Sequence, residues 1–461
     1  MAVLAAFMVP HPPMIIPDIG RGGEAQIAET IRAYEQVADE IAALKPETIL
    51  ILSPHSVMYS DYFHISPGRK AKGSFADFRA AKIQFEEEYD EELTDRICLL
   101  AEEAGFPAGT LGERDRKLDH GTMVPLWFIR QKLNGSKIVR IGLSGLPLTD
   151  HYRFGMMLKE AAEITGRRVV IVASGDLSHK LQSYGPYGFA PEGPAYDERI
   201  MDVCGRGAFG ELFDFEESFC EKAAECGHRS FVIMAGTLDG QMVRASVLSH
   251  QDVTGVGYGI CTFYPDGPDE NRHFLDLYLK KLEHKIEQEI SDADPYVQLA
   301  RKTIDTFVRT GKMIRIPEDL PEEMMKMRAG TFVSIHKHGR LRGCIGTIAP
   351  TAENVAGEII RNAVSASTKD PRFDPVTADE LKWLEISVDV LGRPEKIDSI
   401  AQLDVKRYGV IVSCGYRRGL LLPDLEGVDT PQQQVAIARE KGNIRETEKY
   451  TLERFEVIRH H

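Results

Sequence analysis

The run TILILSPHS, residues 48–56, decides the fold. Thr48 to Leu52 is β-branched and leucine-rich and lacks the alternation of a half-wetted strand. It therefore reads as a strand buried on both faces, as in a parallel sheet. Pro54 has no N–H to donate and ends the ladder, leaving His55 just beyond the last paired residue. Open α/β sheets place their chemistry there, outside the carboxyl ends of the strands. One such histidine by itself reads as a loop residue bonded to backbone. Recurrence is what points to chemistry.

The construction occurs twice more. Val3 to Val9 reads as a short apolar strand, and His11 follows between Pro10, Pro12 and Pro13, which forbid helix and stiffen the turn. Glu24 to Leu44 has helical periodicity (Ile27, Ile31, Tyr34, Val37, Ile41) and leads into the strand before His55, giving a β–loop–α–β unit. Two such strand ends, if neighbouring in a parallel sheet, lie within reach of one metal ion. Lys137 to Leu143 reads as another strand and Tyr152 to Ile164 as a helix. Arg168 to Ala173 is a third fully apolar strand, after which Ser174, Gly175, Asp176 and Ser178 make a tight polar turn presenting His179. Three occurrences argue for a shared site.

Two further segments supply candidates. In KLDHGTMVPLWFI, 117–129, Asp119 or Thr122 reads as the cap of an apolar helix, a turn equally able to carry a functional His120. In EKAAECGHRSFVIMAGTLDG, 221–240, Glu225 and Cys226 precede Gly227 and an apolar helix over Phe231 to Leu238. Taken singly, Glu225 reads as a carboxylate favoured by the helix dipole and Cys226 as packing. The acidic run Glu86 to Glu91 reads as a solvated face or a helix start.

At 461 residues the chain exceeds one ordinary core, so two or three domains are expected. A net charge of -14 argues against nucleic acid and against an anionic membrane surface as partners. MAVLAAFMVPHPP lacks a basic n-region, and no apolar run has the length of a membrane span. Seven scattered cysteines without a CxxC pair fit a reducing cytoplasm and no structural zinc.

FMVPHPPMI, LILSPHS, LDHGTMVPL and SGDLSH, in this order, resemble the class III extradiol ring-cleavage dioxygenases of the catalytic B-subunit type, whose framework the Memo proteins share. The resemblance covers roughly the first 265 residues. It implies an α/β domain with a central sheet flanked by helices. It also implies a two-histidine, one-carboxylate ligand set of His11, His55 and Glu225 on Fe(II), with open positions for a bidentate substrate and dioxygen. His179 is then the catalytic base and His120 stands close to bound substrate. Memo relatives carry a cysteine in the third-ligand region, matched here by Cys226. That leaves Glu225 and Cys226 as alternative third ligands and copper as the alternative metal.

A linker helix is expected over 266–292, where a polar turn precedes KKLEHKIEQEI and SDADP supplies a helix stop and a fresh cap. GTFVSIHKHGRLRGCIGTI, 330–348, reads as two strands about a His338-Gly339 hairpin turn. With KDPRFDPVTADEL and YGVIVSCGYRRGLLLP, it resembles the AMMECR family over 293–461, of which RLRGCIG is the hallmark. That implies a smaller α+β domain. Cys344, with Arg340 and Arg342 nearby, reads as a lowered-pKa thiol or as a buried small residue. His336 and His338 alternate along one strand and are expected to share a face, as a surface pair.

These two modules occur beside a radical-SAM protein in the AmmeMemoRadiSam families, which makes such a protein an expected partner. The chain itself has no CxxxCxxC motif. Two functions are therefore expected in competition. One is Fe(II)-dependent extradiol cleavage of a catechol-like aromatic ring with dioxygen. The other is a Memo-like iron- or copper-binding module without ring cleavage.

Overall fold

Thr48–Ser53 is a strand with every residue buried in the computed structural model, which describes residues 2–112, 117–425 and 427–461. It is one of six in the sheet of the first unit, Met1–Leu279. These strands are β1 (Val3–Val9), β2 (Thr48–Ser53), β3 (Lys137–Gly142), β4 (Val169–Ser174), β5 (Gln241–Gln251) and β6 (Tyr258–Pro268). The order is β3-β2-β4-β1-β6-β5. β3, β2, β4 and β1 run parallel, and β6 and β5 close the sheet antiparallel. β4 thus lies between β1 and β2, and the three strand ends followed by His11, His55 and His179 are neighbours.

The apolar runs are buried on both sides because helices cover both faces. Phe7, Val9, Ile49, Ile51, Val170 and Val172 pack one way, against α1 (Ala28–Leu44). Ala6, Met8, Leu50, Leu52, Ile171 and Ala173 pack the other way. There they meet α2 (Glu91–Glu103), α4 (Leu148–Thr165), α5 (Glu192–Arg206) and α6 (His228–Gly236). Between α2 and α4 in the chain, α3 (His120–Ile129) joins the first face through Val124, Leu126 and Phe128. α7 (Phe274–Asp292) begins inside this unit, where Leu275 is buried in its core.

The acidic run after residue 85 is more structured than a solvated face. Ala80–Glu88 pairs with Lys70–Phe75 as a hairpin. Glu86 meets Lys70 and Lys72, whereas Glu87 is buried against Arg130. Asp90, also buried, caps α2 by accepting from Leu93 N at 3.3 Å.

The second unit, Lys280–His461, holds two antiparallel four-stranded sheets and is α+β. Besides the end of α7 and the short helix Glu322–Lys326, it has α8 (Pro295–Thr310), α9 (Val355–Thr368) and α10 (Pro431–Lys441). Its strands are β7 (Thr331–Lys337), β8 (Arg340–Gly346), β9 (Leu384–Leu391), β10 (Glu395–Ile397), β11 (Gly409–Cys414), β12 (Arg417–Leu421), β13 (Thr451–Phe455) and β14 (Val457–His460). They pair as β8-β7-β9-β14 and β10-β13-β11-β12. His338 and Gly339 form the hairpin turn with φ of 52° and 73°, the left-handed pair a two-residue loop requires. That corrects one expectation: β7 ends at Lys337, so His338 shares no strand face with His336.

Of the two readings of Cys344, the lowered-pKa thiol does not hold. Burial pushes its thiol up rather than down, and the cations acting on it are Arg372 and Lys441. Arg342 is bound instead to Glu380. No helix among the described residues is long and apolar enough to cross a membrane.

Candidate metal centre

His11 leaves β1 after Val9 and is held at its backbone: its N–H donates to Asp176 Oδ1 at 2.8 Å, on the turn after β4. The ring is buried and oriented by Ser174, the last residue of β4. Ser174 has one hydroxyl proton, and it goes to the Gly121 carbonyl at 2.7 Å. Its oxygen must then accept from His11 Nδ1, 2.9 Å away. That bond fixes the tautomer, leaving the His11 Nε2 lone pair to face His55 and Cys226.

His55 Nε2 lies 3.0 Å from His11 Nε2. The turn that carries it is braced by Ser53, whose hydroxyl donates to Asp119 Oδ1 at 2.6 Å and accepts from His55 N at 3.2 Å. Asp119 also caps α3, accepting from Thr122 N at 3.0 Å, and lies 3.6 Å from the buried Arg140 guanidinium. The capping reading of Asp119 holds, and the cap that starts α3 sets His120 beside the cluster. Its ring centroid is 4.0 Å from that of His55 and 5.4 Å from that of His11.

Cys226 arrives from the far side of the sheet. Ala224, in the left-handed region at φ 53°, ends the helix Glu217–Ala223 and reverses the chain. The next turn packs on the β4 turn through Gly175 and Gly227, where no side chain fits between the backbones. Cys226 N donates to Asp176 O, and Asp176 N points at Cys226 Sγ, each at 3.3 Å. The sulfur lies 3.6 Å from His11 Nε2.

His11, His55 and Cys226 thus offer three ligand atoms within 4.8 Å of one another. That spacing suits donors 2.0–2.3 Å from one ion. Glu225 is turned elsewhere. Its carboxylate accepts from His228 N at 2.6 Å, at the start of α6, and burial raises its pKa to about 7. His179 is a neighbour of the cluster; its Nδ1 faces the Ala224 carbonyl and its ring meets Tyr187 edge-on at 5.1 Å.

The local chemistry favours uncharged donors. Burial, then His55 and His120, hold the His11 pKa well below its ordinary value. Burial and His55 push His120 down to about 4. Burial raises the Asp176 carboxyl and pushes the Cys226 thiol well up. Neutral imidazoles are ready ligands, and a cation offsets the desolvation of a thiolate. The donor set fits a transition metal. Two nitrogens and a sulfur suit copper, iron or zinc better than magnesium or calcium. Exposure is graded, with His11 buried, Cys226, His120 and His179 half-buried and His55 exposed, so the cluster is open to solvent at one side.

Residues 5–261 match the family model for the catalytic LigB subunit of aromatic ring-opening dioxygenase, and residues 297–460 match AMMECR1. A protein of Clostridium acetobutylicum is 40% identical over 472 residues, covering 100% of this chain and 99% of the relative. A Thermotoga maritima protein is 51% identical over 168 residues, 35% of this chain and 97% of its own. The crystal structure of an uncharacterized Pyrococcus horikoshii protein is 30% identical, covers 36% of this chain and 88% of that one, and superposes with a TM-score of 0.34.

Proposed function

This chain belongs to the LigB family of aromatic ring-opening dioxygenase subunits over residues 5–261 and carries an AMMECR1 domain over 297–460; from that premise we propose that its first unit is a Memo-like metal-binding module. His11, His55 and Cys226 hold one ion, Fe(II) or copper. The observation that carries this reading is the convergence of these three donor atoms within 4.8 Å, with the Glu225 carboxylate engaged at the start of α6. A bound ion supplies Lewis acidity and redox capacity at that point. Ser174 holds His11 in the ligating tautomer, and Asp176 and Ser53 fix the two turns. A radical-SAM protein is the proposed partner of the whole chain.

Extradiol opening of a catechol-like ring by dioxygen is the second reading. It is favoured by two histidines outside the ligand set: His120, 4.0 Å from the His55 ring, and His179 on the β4 turn. In that reaction His179 takes a proton from the ring hydroxyl and returns it later, and His120 hydrogen-bonds the substrate.

One experiment ranks the two. Full-length protein purified anaerobically is assayed for metal by anomalous scattering at the iron and copper edges, beside Cys226→Ala and Glu225→Gln. The module reading expects Cys226→Ala to lose stoichiometric metal and Glu225→Gln to keep it. The opposite pattern, with catechol turnover by the Fe(II)-loaded wild type, establishes the dioxygenase reading.

A further inference from the structure

The second unit carries a half-open cavity of about 1240 Å³ that plays no part in the metal centre. Phe332, Ile345, Leu420, Leu422 and Leu425 give it an apolar side. Cys344, Ser334, Arg372, Lys441 and Arg459 give it a polar one. Drug-sized ligands occupy cavities of roughly 300–1,000 Å³, somewhat smaller than this one, with the same build of apolar walls and a few convergent polar groups.

Four carboxylates, Glu289, Asp370, Glu385 and Asp389, line the cavity beside four cations, Arg301, Arg372, Lys441 and Arg459, and the cations differ in how closely they are paired. Arg372 is neutralised by Asp370, with 2.7 Å between Nη2 and Oδ2, and Arg459 by Asp389 at 2.8 Å. Arg301 donates to the Leu384 carbonyl. Lys441 is different: among the described residues no carboxylate or carbonyl partners its ammonium. It ends α10, and it lies close enough to Cys344 and Arg372 to sense both. Lys441 is exposed as a residue, yet partial desolvation lowers its pKa, so protein atoms cover part of its side chain.

The floor of the polar side is rigid. Asp370 accepts from Cys344 N at 2.9 Å, and the Ser334 hydroxyl points at Cys344 Sγ at 3.2 Å. Gly343 lets β8 approach α9 so closely that a Cβ there would meet the Ala366 carbonyl at 2.3 Å. The RLRGCIG segment is thereby held against α9 while Cys344 faces the cavity.

We propose that this cavity binds a small amphiphilic anion, its carboxylate or phosphate head at Lys441 and Arg372 beside the Cys344 thiol and its apolar body along Phe332, Leu420 and Leu422. An unpaired cation at the polar end and aliphatic and aromatic walls beyond it select both halves of such a molecule. A neutral molecule of the same shape gains only the walls.

The test is calorimetric titration of the full-length protein with octanoate, octyl phosphate and octan-1-ol. Octanoate or octyl phosphate is expected to bind one to one, at least tenfold tighter than octan-1-ol, and the tighter of the two identifies the head group. Lys441→Met, at an exposed position, is expected to erase that tenfold preference with an unchanged melting temperature. Octanoate should also protect Cys344, but not Cys414, from alkylation by iodoacetamide, read by peptide mass spectrometry. Equal affinity for acid and alcohol, an unchanged preference in Lys441→Met, or binding that leaves Cys344 unprotected overturns the proposal.

Discussion

Gly175 and Gly227 meet backbone to backbone: a Cβ on Gly175 would lie 2.1 Å from the Gly227 Cα. The contact is what lets the turn after β4 and the turn before α6 share one site. Gly175→Ala is expected to destabilise the first unit by about 1–3 kcal/mol through overpacking. It should also lower bound metal below one per chain by moving Cys226 away from His11. Thermal melts and metal analysis of the same sample check both.

Ser174→Ala removes the acceptor that fixes the His11 tautomer while keeping all three ligands. Loss of such an outer hydrogen bond typically weakens metal affinity 10–100-fold. Competition with a chelator of known affinity measures it. Unchanged affinity would mean the tautomer is set by other groups.

On the ring-opening reading, His179→Gln keeps its metal and lowers turnover of a catechol by about a hundredfold, the scale of a lost general base. Metal loss in this variant would make His179 a ligand instead.

The centre was only partly legible in the chain. The fully apolar runs announced β1, β2 and β4, because a strand buried on two faces cannot alternate, and the prolines after β1 and β2 marked where His11 and His55 leave the sheet. Neither the order of the strands nor the position of β4 between the other two has a local signal. Cys226 is 215 residues from His11 and entered as a ligand only through resemblance. Its choice over Glu225 as a neighbour of the cluster depends on Ala224 turning left-handed, which no residue type announces. Ser174 and Asp176 read as ordinary turn formers; their bonds to His11 cross 163 and 165 residues. The hairpin Lys70–Glu88 was missed although Ile83, Phe85 and Glu87 alternate, since the acidic run masked the period.

In the second unit, Glu380 gives a pH test. Burial opposes its ionisation, yet bonds from Arg342, Lys337 and Thr377 N lower its pKa to about 2. A depressed carboxyl stabilises the fold above its unfolded value near 4.5, and that stability is lost as pH falls toward 2. Allowing for solvent screening of its partly exposed ion pairs, Glu380→Gln should therefore cost about 1–2 kcal/mol at pH 7 and close to nothing at pH 2. Denaturant melts at the two pH values measure the difference.

Leu275 is buried in the first core, and Phe274 N donates to Asp239 Oδ1 at 3.2 Å. A fragment of residues 1–279 is expected to melt several degrees above one of residues 1–265, which also cuts β6 short. Residues 293–461 should fold alone. Equal melting of the two N-terminal fragments would place the edge of the unit at residue 265.

The interposition of β4 between β1 and β2 has a consequence for biosynthesis. A ribosome releases His11 first, His55 next and Cys226 last, with the strand that brings the two histidines together emerging after His55 and before Cys226. A nascent chain holds at most two of the three donors until most of the first unit has been made, so it offers the ion no complete grip. If His11, His55 and Cys226 hold an ion as proposed, metal capture follows folding, and a truncated chain ending before Cys226 is expected to retain none. Retained metal becomes a certificate that the sheet has closed in its proper order.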